Sequence, residues 1–342
     1  MKKTLFLALM LVIGATVFAQ QQMATLNHND TITVFYGNYA LRDAHNAAVA
    51  GDIVTLSPGT FDKCDITKPI TLRGVGATVD TIAGTYPTII AGDFKLDIPK
   101  HTEYYLVIEG VYMSQEIDIK KLYNAKFNRC NIYKLKFGNI SYAGDNSGIA
   151  ENVEFVNCLI RQINNNSYYS STSNFTFVNC ALYWESCEIP SSFINSLLIM
   201  RTDFSKSTAY NSIITRNHHY GYFGETAGAY NCIFVKNNNY ENIFRNETNN
   251  TNVIFEKLNE VFETWHSWTN EKFSFSFDER YILKEEIATS FLGSDGTEVG
   301  IHGGMFPFDT RPSYMVVKKC NVANKSTIDG KLSVDIEVMV EE

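Results

Sequence analysis

Several things are scarce in this 342-residue chain. Only 19% of residues are charged, and proline occurs 7 times. After the first twenty positions no long hydrophobic run remains. The missing runs exclude a polytopic membrane protein. The absence of a sustained heptad excludes a coiled coil, and 21 glycines are far too few for collagen. Basic residues number 29 against 37 acidic ones, a formal charge of −8, which argues against nucleic acid as a partner. No Pro/Ser-rich linker separates a mobile second domain. The chain does hold 45% hydrophobic and 13% aromatic residues, enough apolar side chain to offset ordering entropy, so it is not disordered. Its length would allow two domains, but solenoids run this long as one unit.

The one long apolar run is Leu5 to Val17, preceded by Lys2 and Lys3 and followed by Val17-Phe18-Ala19. That is the charged region, apolar core and small-residue cleavage pattern of a secretory signal, and it is short for a membrane span. Residues 1–19 are therefore expected to be removed, leaving a mature chain that starts near Gln20. No Cys stands at the cleavage point, so a lipid anchor is not indicated. The short Met-Lys-Lys start looks bacterial and implies a periplasmic, cell-surface or extracellular protein. No transmembrane segment is expected once the signal is gone.

An internal repeat dominates the middle of the chain. Phe127-Asn128-Arg129-Cys130-Asn131-Ile132 is echoed by Phe155-Val156-Asn157-Cys158-Leu159-Ile160 and by Phe177-Val178-Asn179-Cys180-Ala181-Leu182. Phe193-Ile194-Asn195-Ser196-Leu197-Leu198 has Ser for Cys. Tighter versions stand at Tyr210-Asn211-Ser212-Ile213-Ile214 and Tyr230-Asn231-Cys232-Ile233-Phe234. The unit is a short strand, an Asn bend and a second short strand. One such coil buries nothing alone; stacking coils about 4.8 Å apart gives every strand parallel partners and a continuous interior. Asn tolerates the left-handed bend, and its amide can bond the next coil's Asn. This predicts an internal ladder of Asn157, Asn179, Asn195, Asn211 and Asn231. It also predicts a column of Cys130, Cys158, Cys180, Ser196, Ser212 and Cys232. Ser in two slots implies a reduced column, with Cys180 and Cys187 the least implausible bridge.

A coil stack exposes apolar core at its tip and needs a cap. Residues 38–50 read as a short helix with Asn38 as N-cap, Leu41, Ala44, Ala48 and Val49 on one face, and Gly51 as its end. Two turn-strand segments come next, Gly51-Asp52-Ile53-Val54-Thr55-Leu56-Ser57-Pro58-Gly59-Thr60-Phe61 and Lys68-Pro69-Ile70-Thr71-Leu72-Arg73-Gly74-Val75-Gly76. These closely resemble the opening coils of the right-handed parallel β-helix, or pectin-lyase-like, superfamily. Gly293-Ser294-Asp295-Gly296-Thr297-Glu298-Val299-Gly300-Ile301-His302-Gly303-Gly304, followed by Met305-Phe306-Pro307-Phe308, resembles the closing coil of exported β-helix proteins from Bacteroidetes-type bacteria. The resemblance implies an all-β chain: a single-stranded right-handed parallel β-helix over residues 20–308, with a short N-terminal capping helix. Residues 309–342 alternate well in Leu332-Ser333-Val334-Asp335-Ile336-Glu337-Val338 and are expected to form a C-terminal β appendage of one or two strands.

The segments after the second strands are rich in side chains that bind sugars. Tyr168, Tyr169, Trp184, Arg201, Arg216, His218, His219, Tyr220, Tyr222 and Tyr240 would share a surface if equivalent bends project from one side. Aromatic faces stack on sugar rings, and Asn and Arg bond hydroxyls and carboxylates. The plainer reading is that Tyr and Asn close irregular loops. Adjacent His218 and His219 point to opposite faces of a strand, and no Cys or His pair has structural-zinc spacing, so no metal is expected. Trp265 and Trp268 read as packing at the end of the stack, and Asp278-Glu279-Arg280 as a solvated cluster.

The same alternation points Leu159, Ala181, Leu197, Ile213 and Ile233 outward, an apolar column that needs a cover or a partner. The C-terminal tail or Phe273-Ser274-Phe275-Ser276-Phe277 would supply an internal cover; otherwise the face is a protein–protein contact.

Many members of the superfamily cleave acidic polysaccharides. Its hydrolases carry paired aspartates, which this sequence lacks, and Gly300-Ile301-His302-Gly303 only superficially resembles a hydrolase element. Its lyases generally need a Lys or Arg base and a carboxylate-neutralising cluster, often with Ca²⁺. Arg161, Arg201, Arg216 and Lys236 could form a local basic patch for one. The expectation is an exported protein binding a glycan or another surface component without catalysis or cofactor. The alternatives are a polysaccharide lyase, with Ca²⁺ possible only there, and a structural or adhesive module with a protein partner.

Overall fold

The computed structural model describes residues 22–79, 86–100, 103–137, 148–165, 172–184, 190–200, 207–216, 228–235, 251–264, 281–309, 316–322 and 334–339. They form a parallel β-solenoid of about seven turns. One sheet stacks the strands Ile53–Leu56, Thr71–Arg73 and Leu106–Glu109, then the end of the long strand Val111–Asn128. Strands Ile149–Val156, Thr172–Val178, Ser191–Ile194, Thr208–Tyr210 and Gly228–Tyr230 continue it in parallel register. A second parallel sheet holds the strands after each bend, from Gly59–Asp62 to Val253–Phe255.

The bend between the sheets is the repeat's Asn. Asn157, Asn179, Asn195, Asn211 and Asn231 have φ of 52°, 50°, 47°, 49° and 50°, and Arg129 and Gly110 take the same place with 52° and 64°. Asn is the non-glycine residue that enters this left-handed region most cheaply, which is why it recurs there. Each bend N–H bonds the next rung, as in Asn179 N to Ile194 O and Asn195 N to Tyr210 O, both 3.0 Å.

The residue after the bend points into the solenoid. Cys130, Cys158, Cys180, Ser196, Ser212 and Cys232 form the expected column, each no more than 1% exposed. The column is a hydrogen-bonded chain as well as packing. Cys180 Sγ donates to Val178 O and Phe155 O, and accepts Cys158 N–H. Ser196 Oγ donates to Ile194 O and Phe177 O, and accepts Cys180 N–H at 3.2 Å. Thiol and hydroxyl share this donor–acceptor geometry, so Cys and Ser interchange along the column. Cys64, Cys130, Cys158, Cys180 and Cys232 are free, so Cys180 is not bridged to Cys187, which lies outside the described residues. Burial pushes the Cys232 and Cys64 thiols up to about 12, and those of Cys130 and Cys158 well above their ordinary value, so these thiols are unreactive. Three residues before Cys130, Cys158, Cys180 and Ser196, Phe127, Phe155, Phe177 and Phe193 stack face to face, with centroids 4.9, 4.9 and 5.0 Å apart.

Asn157, Asn179, Asn195 and Asn211 of the ladder are buried and Asn231 is half-buried, but they do not line the lumen as expected. Neighbouring residues alternate sides at the bend, so inward Cys and Ser leave the Asn side chains on the outer flank. There Asn179, Asn195 and Asn211 meet residues 293–304, which do not add a closing coil. That segment folds back as a strap. Asn179 Nδ2 donates to Ile301 O (2.9 Å) and Gly303 O (2.7 Å), and Asn211 Oδ1 accepts from Ser294 N (3.0 Å). Gly300 and Ile301 hold the strap through their backbone, Gly300 N–H donating to Asn211 O and Ile301 O accepting from Asn179 Nδ2.

The same strap settles the apolar column. Leu159, Ala181, Leu197, Ile213 and Ile233 are each no more than 2% exposed. They form a second core with Leu258, Val261, Phe262, Leu283, Ile287, Val299 and Ile301. The cover is therefore the helices Leu258–Val261 and Glu285–Ser290 with the strap, and the face is not available to a protein partner. Phe273–Phe277 and Trp265–Trp268 lie outside the described residues. The tail strands Val316–Val322 and Val334–Met339 pair antiparallel in a sheet of their own.

At the N-terminal tip, the capping helix spans Ala40–Ala47, shorter than expected at both ends, and its N-cap is Tyr39 rather than Asn38. Leu41, Ala44 and Ala48 are buried, but Val49 lies past the helix and is 51% exposed. Lys68 explains the early stop: its Nζ donates to the carbonyls of His45, Asn46 and Ala48 at 2.8, 2.9 and 2.7 Å. Buried His45 accepts Thr67 N–H on Nε2 at 3.2 Å, so that nitrogen is unprotonated. Desolvation, then the charge of Lys68, lowers its pKa to about 4, against a smaller opposing effect of Asp65. As pH falls through about 6.5 the unfolded chain takes up a proton that the folded chain refuses, so this stability is whole above 6.5 and lost down to about pH 4. The loss amounts to about 3 kcal/mol. Urea unfolding at pH 7, 5 and 4 measures it, and His45→Gln should flatten that part of the profile. An unchanged slope in the variant would mean that another group is responsible.

Candidate functional site

The outer face of the first sheet carries two parallel columns on either side of the inward Phe stack. One runs through Val107, Lys126, Glu154, Thr176, Ser192, Thr208 and Gly228 in register. The other runs through Glu109, Asn128, Val156, Val178, Ile194, Tyr210 and Tyr230. Side chains alternate across a strand, so both columns face outward once the Phe column faces in.

A groove of about 440 Å³ opens along the first column, lined by Tyr105, Asn124, Lys126, Asn152, Glu154, Asn174 and Thr176 among others. Its wall contains a second left-handed Asn ladder. Asn124, Asn152 and Asn174 have φ of 53°, 64° and 59°, and Asn152 Nδ2 donates to Asn124 Oδ1 at 3.1 Å. Lys126 and Glu154 pair at 3.0 Å across adjacent rungs. Further along, the Ser192 and Thr208 hydroxyls lie 3.4 Å apart. Beside them Tyr210 and Tyr230 stack at 5.0 Å with an interplanar angle of 12°, each 41% exposed. Gly228 makes room for this pair: a Cβ there would sit 3.0 Å from Tyr230 Cε2. Amides, an ion pair, hydroxyls and two aromatic rings thus succeed one another along this face at the spacing of the coils.

A second groove, of about 560 Å³, lies near the capping helix and is lined by Arg42, Lys63, Asp65, Asp93, Lys95, Glu116 and Asp118. Much of its charge is internally neutralised. Glu116 bonds Lys134 (2.8 Å) and Lys136 (3.1 Å), and Asp118 bonds Lys120 (2.9 Å). Desolvation raises the Glu116 pKa, but the hydrogen bonds to both lysines outweigh it and leave the carboxyl below its ordinary value. His28 Nδ1 and Asp52 Oδ1 meet at 2.8 Å, but the other oxygen of Asp52 accepts Val49 N–H at 2.8 Å. This pair ties the first hairpin to the turn after the capping helix. Among the described residues no group of three or more His, Cys, Asp or Glu is placed to hold a metal ion.

Most of the residues expected from sequence to line a surface, Tyr168, Tyr169, Arg201, His218, His219, Tyr220, Tyr222 and Tyr240, lie outside the described residues, as does Lys236. Trp184 and Arg216 end the strands Ala181–Trp184 and Ile213–Arg216. Both positions register with Met200, so they occupy one column two rungs apart in the second sheet. The face described above lies on the first sheet instead. Loop composition does not reveal this face, because strand residues build it. The signals were present: Tyr210 and Tyr230 each directly precede a bend Asn, and Asn152 and Asn174 each stand five residues before one.

Comparison with protein-family profiles, with curated proteins and with solved structures finds no match to this chain.

Proposed function

We propose that this chain is an exported β-helix protein that binds a glycan or another surface component, without catalysis and without a cofactor, along the outer face of its first sheet. The observation that carries the reading is the half-exposed Tyr210–Tyr230 stack beside the Ser192 and Thr208 hydroxyls, in line with the groove of Tyr105, Asn152 and Asn174. Saccharides are held by aromatic carbon surface together with fixed donors and acceptors, and this face supplies both in register. On it, the described carboxylates Glu154 and Glu109 are engaged by Lys126 and Arg129 respectively. That supports recognition over general acid–base work, which needs a group poised to exchange a proton. The Met-Lys-Lys start and apolar run support export, and the polar-aromatic loops extend the reading to Tyr168, Tyr220 and their neighbours.

Affinity electrophoresis against neutral and uronate-containing polysaccharides tests this. Retention of the wild-type chain should weaken about tenfold in Tyr210→Ala/Tyr230→Ala, the scale of one lost aromatic contact set. Retention unaffected by that variant would remove this face from the reading. Unsaturated product at 235 nm from a uronate polymer, lost on replacing Arg201 or Arg216, would establish a lyase instead, and its Ca²⁺ dependence would then be the next measurement.

A further inference from the structure

Beyond Glu154 the two outward columns of the first sheet carry no charge. One continues through Thr176, Ser192 and Thr208, each half-buried, to Gly228. The other continues from Val156 through half-buried Val178 and Ile194 to exposed Tyr210 and Tyr230. A ladder of hydroxyls and a ladder of apolar groups therefore run side by side, each repeating once per coil. The coils are about 4.8 Å apart, close to the advance of one sugar in an extended chain. The columns stand two residues apart along each strand, about 6.6 Å, close to the width of a pyranose with its hydroxyls. Among the described residues of the two columns the one cation is Lys126, and Glu154 engages it at 3.0 Å. The other carboxylate, Glu109, accepts from Asn128 Nδ2 at 3.3 Å and lies 3.8 Å from Arg129 Nη1.

Resting on the glycan reading above, we infer that the ligand is a linear, uncharged polysaccharide of equatorially linked pyranoses. It lies parallel to the solenoid axis, one sugar to each coil. Charge selects against a polyuronate, whose every sugar brings a carboxylate. Over the rungs from Thr176 to Tyr230 neither column offers such a group a cation, so it would be desolvated unpaired. The formal charge of −8 repels a polyanion over longer distances too. Periodicity selects a polymer over a single sugar, because each further ring meets the same two ladders and its binding is intramolecular. Equatorial links keep the chain extended, so its rings stay in step with the coils, whereas axial links wind the chain away from the face. The C–H surface of each ring then falls on Val178, Ile194 and the tyrosines, and its hydroxyl edge meets Ser192 and Thr208. The rungs from Lys126 to Gly228 span about 24 Å, room for about five or six sugars.

The test is calorimetric titration of the full chain with cello-, manno- and chito-oligosaccharides of increasing length. In at least one series the affinity should rise about tenfold or more from dimer to hexamer, level off beyond it, and hold at high salt. Malto-oligosaccharides, which are axially linked, and oligogalacturonates should each bind at least about tenfold more weakly than that hexamer. Thr208→Val keeps the side-chain shape, removes one rung of the hydroxyl ladder, and should weaken the hexamer about fivefold to tenfold. Thr208→Ser restores the hydroxyl and should restore the affinity. Oligogalacturonates that bind more tightly than every neutral series, with an affinity that falls with salt, overturn the inference but leave the glycan reading standing. So do a dimer or malto-hexaose that binds as tightly as the best hexamer, or hexamer binding indifferent to Thr208→Val. Failure of every saccharide to bind overturns both.

Discussion

Gly303→Ala is expected to unlatch the strap and destabilise the protein by about 3–5 kcal/mol, at the upper end of what single substitutions do. A Cβ at Gly303 would collide with the Glu298 carbonyl oxygen, and that neighbour is backbone, which cannot swing aside. The strap cannot simply shift outward, because Asn179 Nδ2 bonds the carbonyls of both Ile301 and Gly303, and Gly300 N–H bonds Asn211 O at 2.8 Å. Loss of the latch would uncover Leu159, Ala181, Leu197, Ile213 and Ile233, so the variant should bind a hydrophobic dye before it unfolds. Gly296→Ala is the control. Gly296 has φ of +78° but nothing within 4 Å of its would-be Cβ, so it should cost only about 1 kcal/mol of backbone strain. Urea melts of the two variants compare the steric with the conformational effect. A Gly303→Ala protein as stable as wild type would mean that the strap is not a latch.

Phe177→Ala is expected to cost a similar amount, about 3–5 kcal/mol. Phe177 lies between Phe155 and Phe193, stacked on both at 4.9 and 5.0 Å, and is 0% exposed. Truncation leaves a void bounded by two rings that belong to different coils, so neither coil can close it without shifting its own strand register. Phe177→Leu should cost less, about 1–2 kcal/mol, because most of the volume remains. Each coil of a solenoid is held chiefly by its neighbours. The Ala variant should therefore lose two-state behaviour, with residues before and after the gap unfolding at different urea concentrations. Hydrogen exchange resolved by segment would detect this. Uniform loss of protection along the whole chain would show that the coils on either side remain coupled through the strap and its helices.

The sequence by itself determined the coil. Each Asn that tolerates a left-handed bend is followed by a small Cys or Ser and preceded by a short strand, and those local preferences agree from Phe155 to Phe234. Identical short-range choices repeated in series leave parallel stacking as the arrangement that buries them. The column of thiols and hydroxyls, the left-handed bends and the N-terminal cap were legible for that reason.

Tertiary structure decided everything that depended on segments distant in the chain meeting. The inward Cys and Ser put the bend amides on the outer flank, but what satisfies them there turned on residues 293–304 returning to Asn179 and Asn211. The identity of the cover over Leu159 and its neighbours was invisible because no local pattern in Val261, Ile287 or Ile301 names its partner. The candidate binding face emerged only from register, since Lys126, Glu154, Thr176, Ser192 and Thr208 become a column only when five successive strands are aligned. Helix and bend preferences act within a few residues, whereas surfaces are assembled across coils, and the energy that aligns them is carried by contacts that no short stretch of sequence contains.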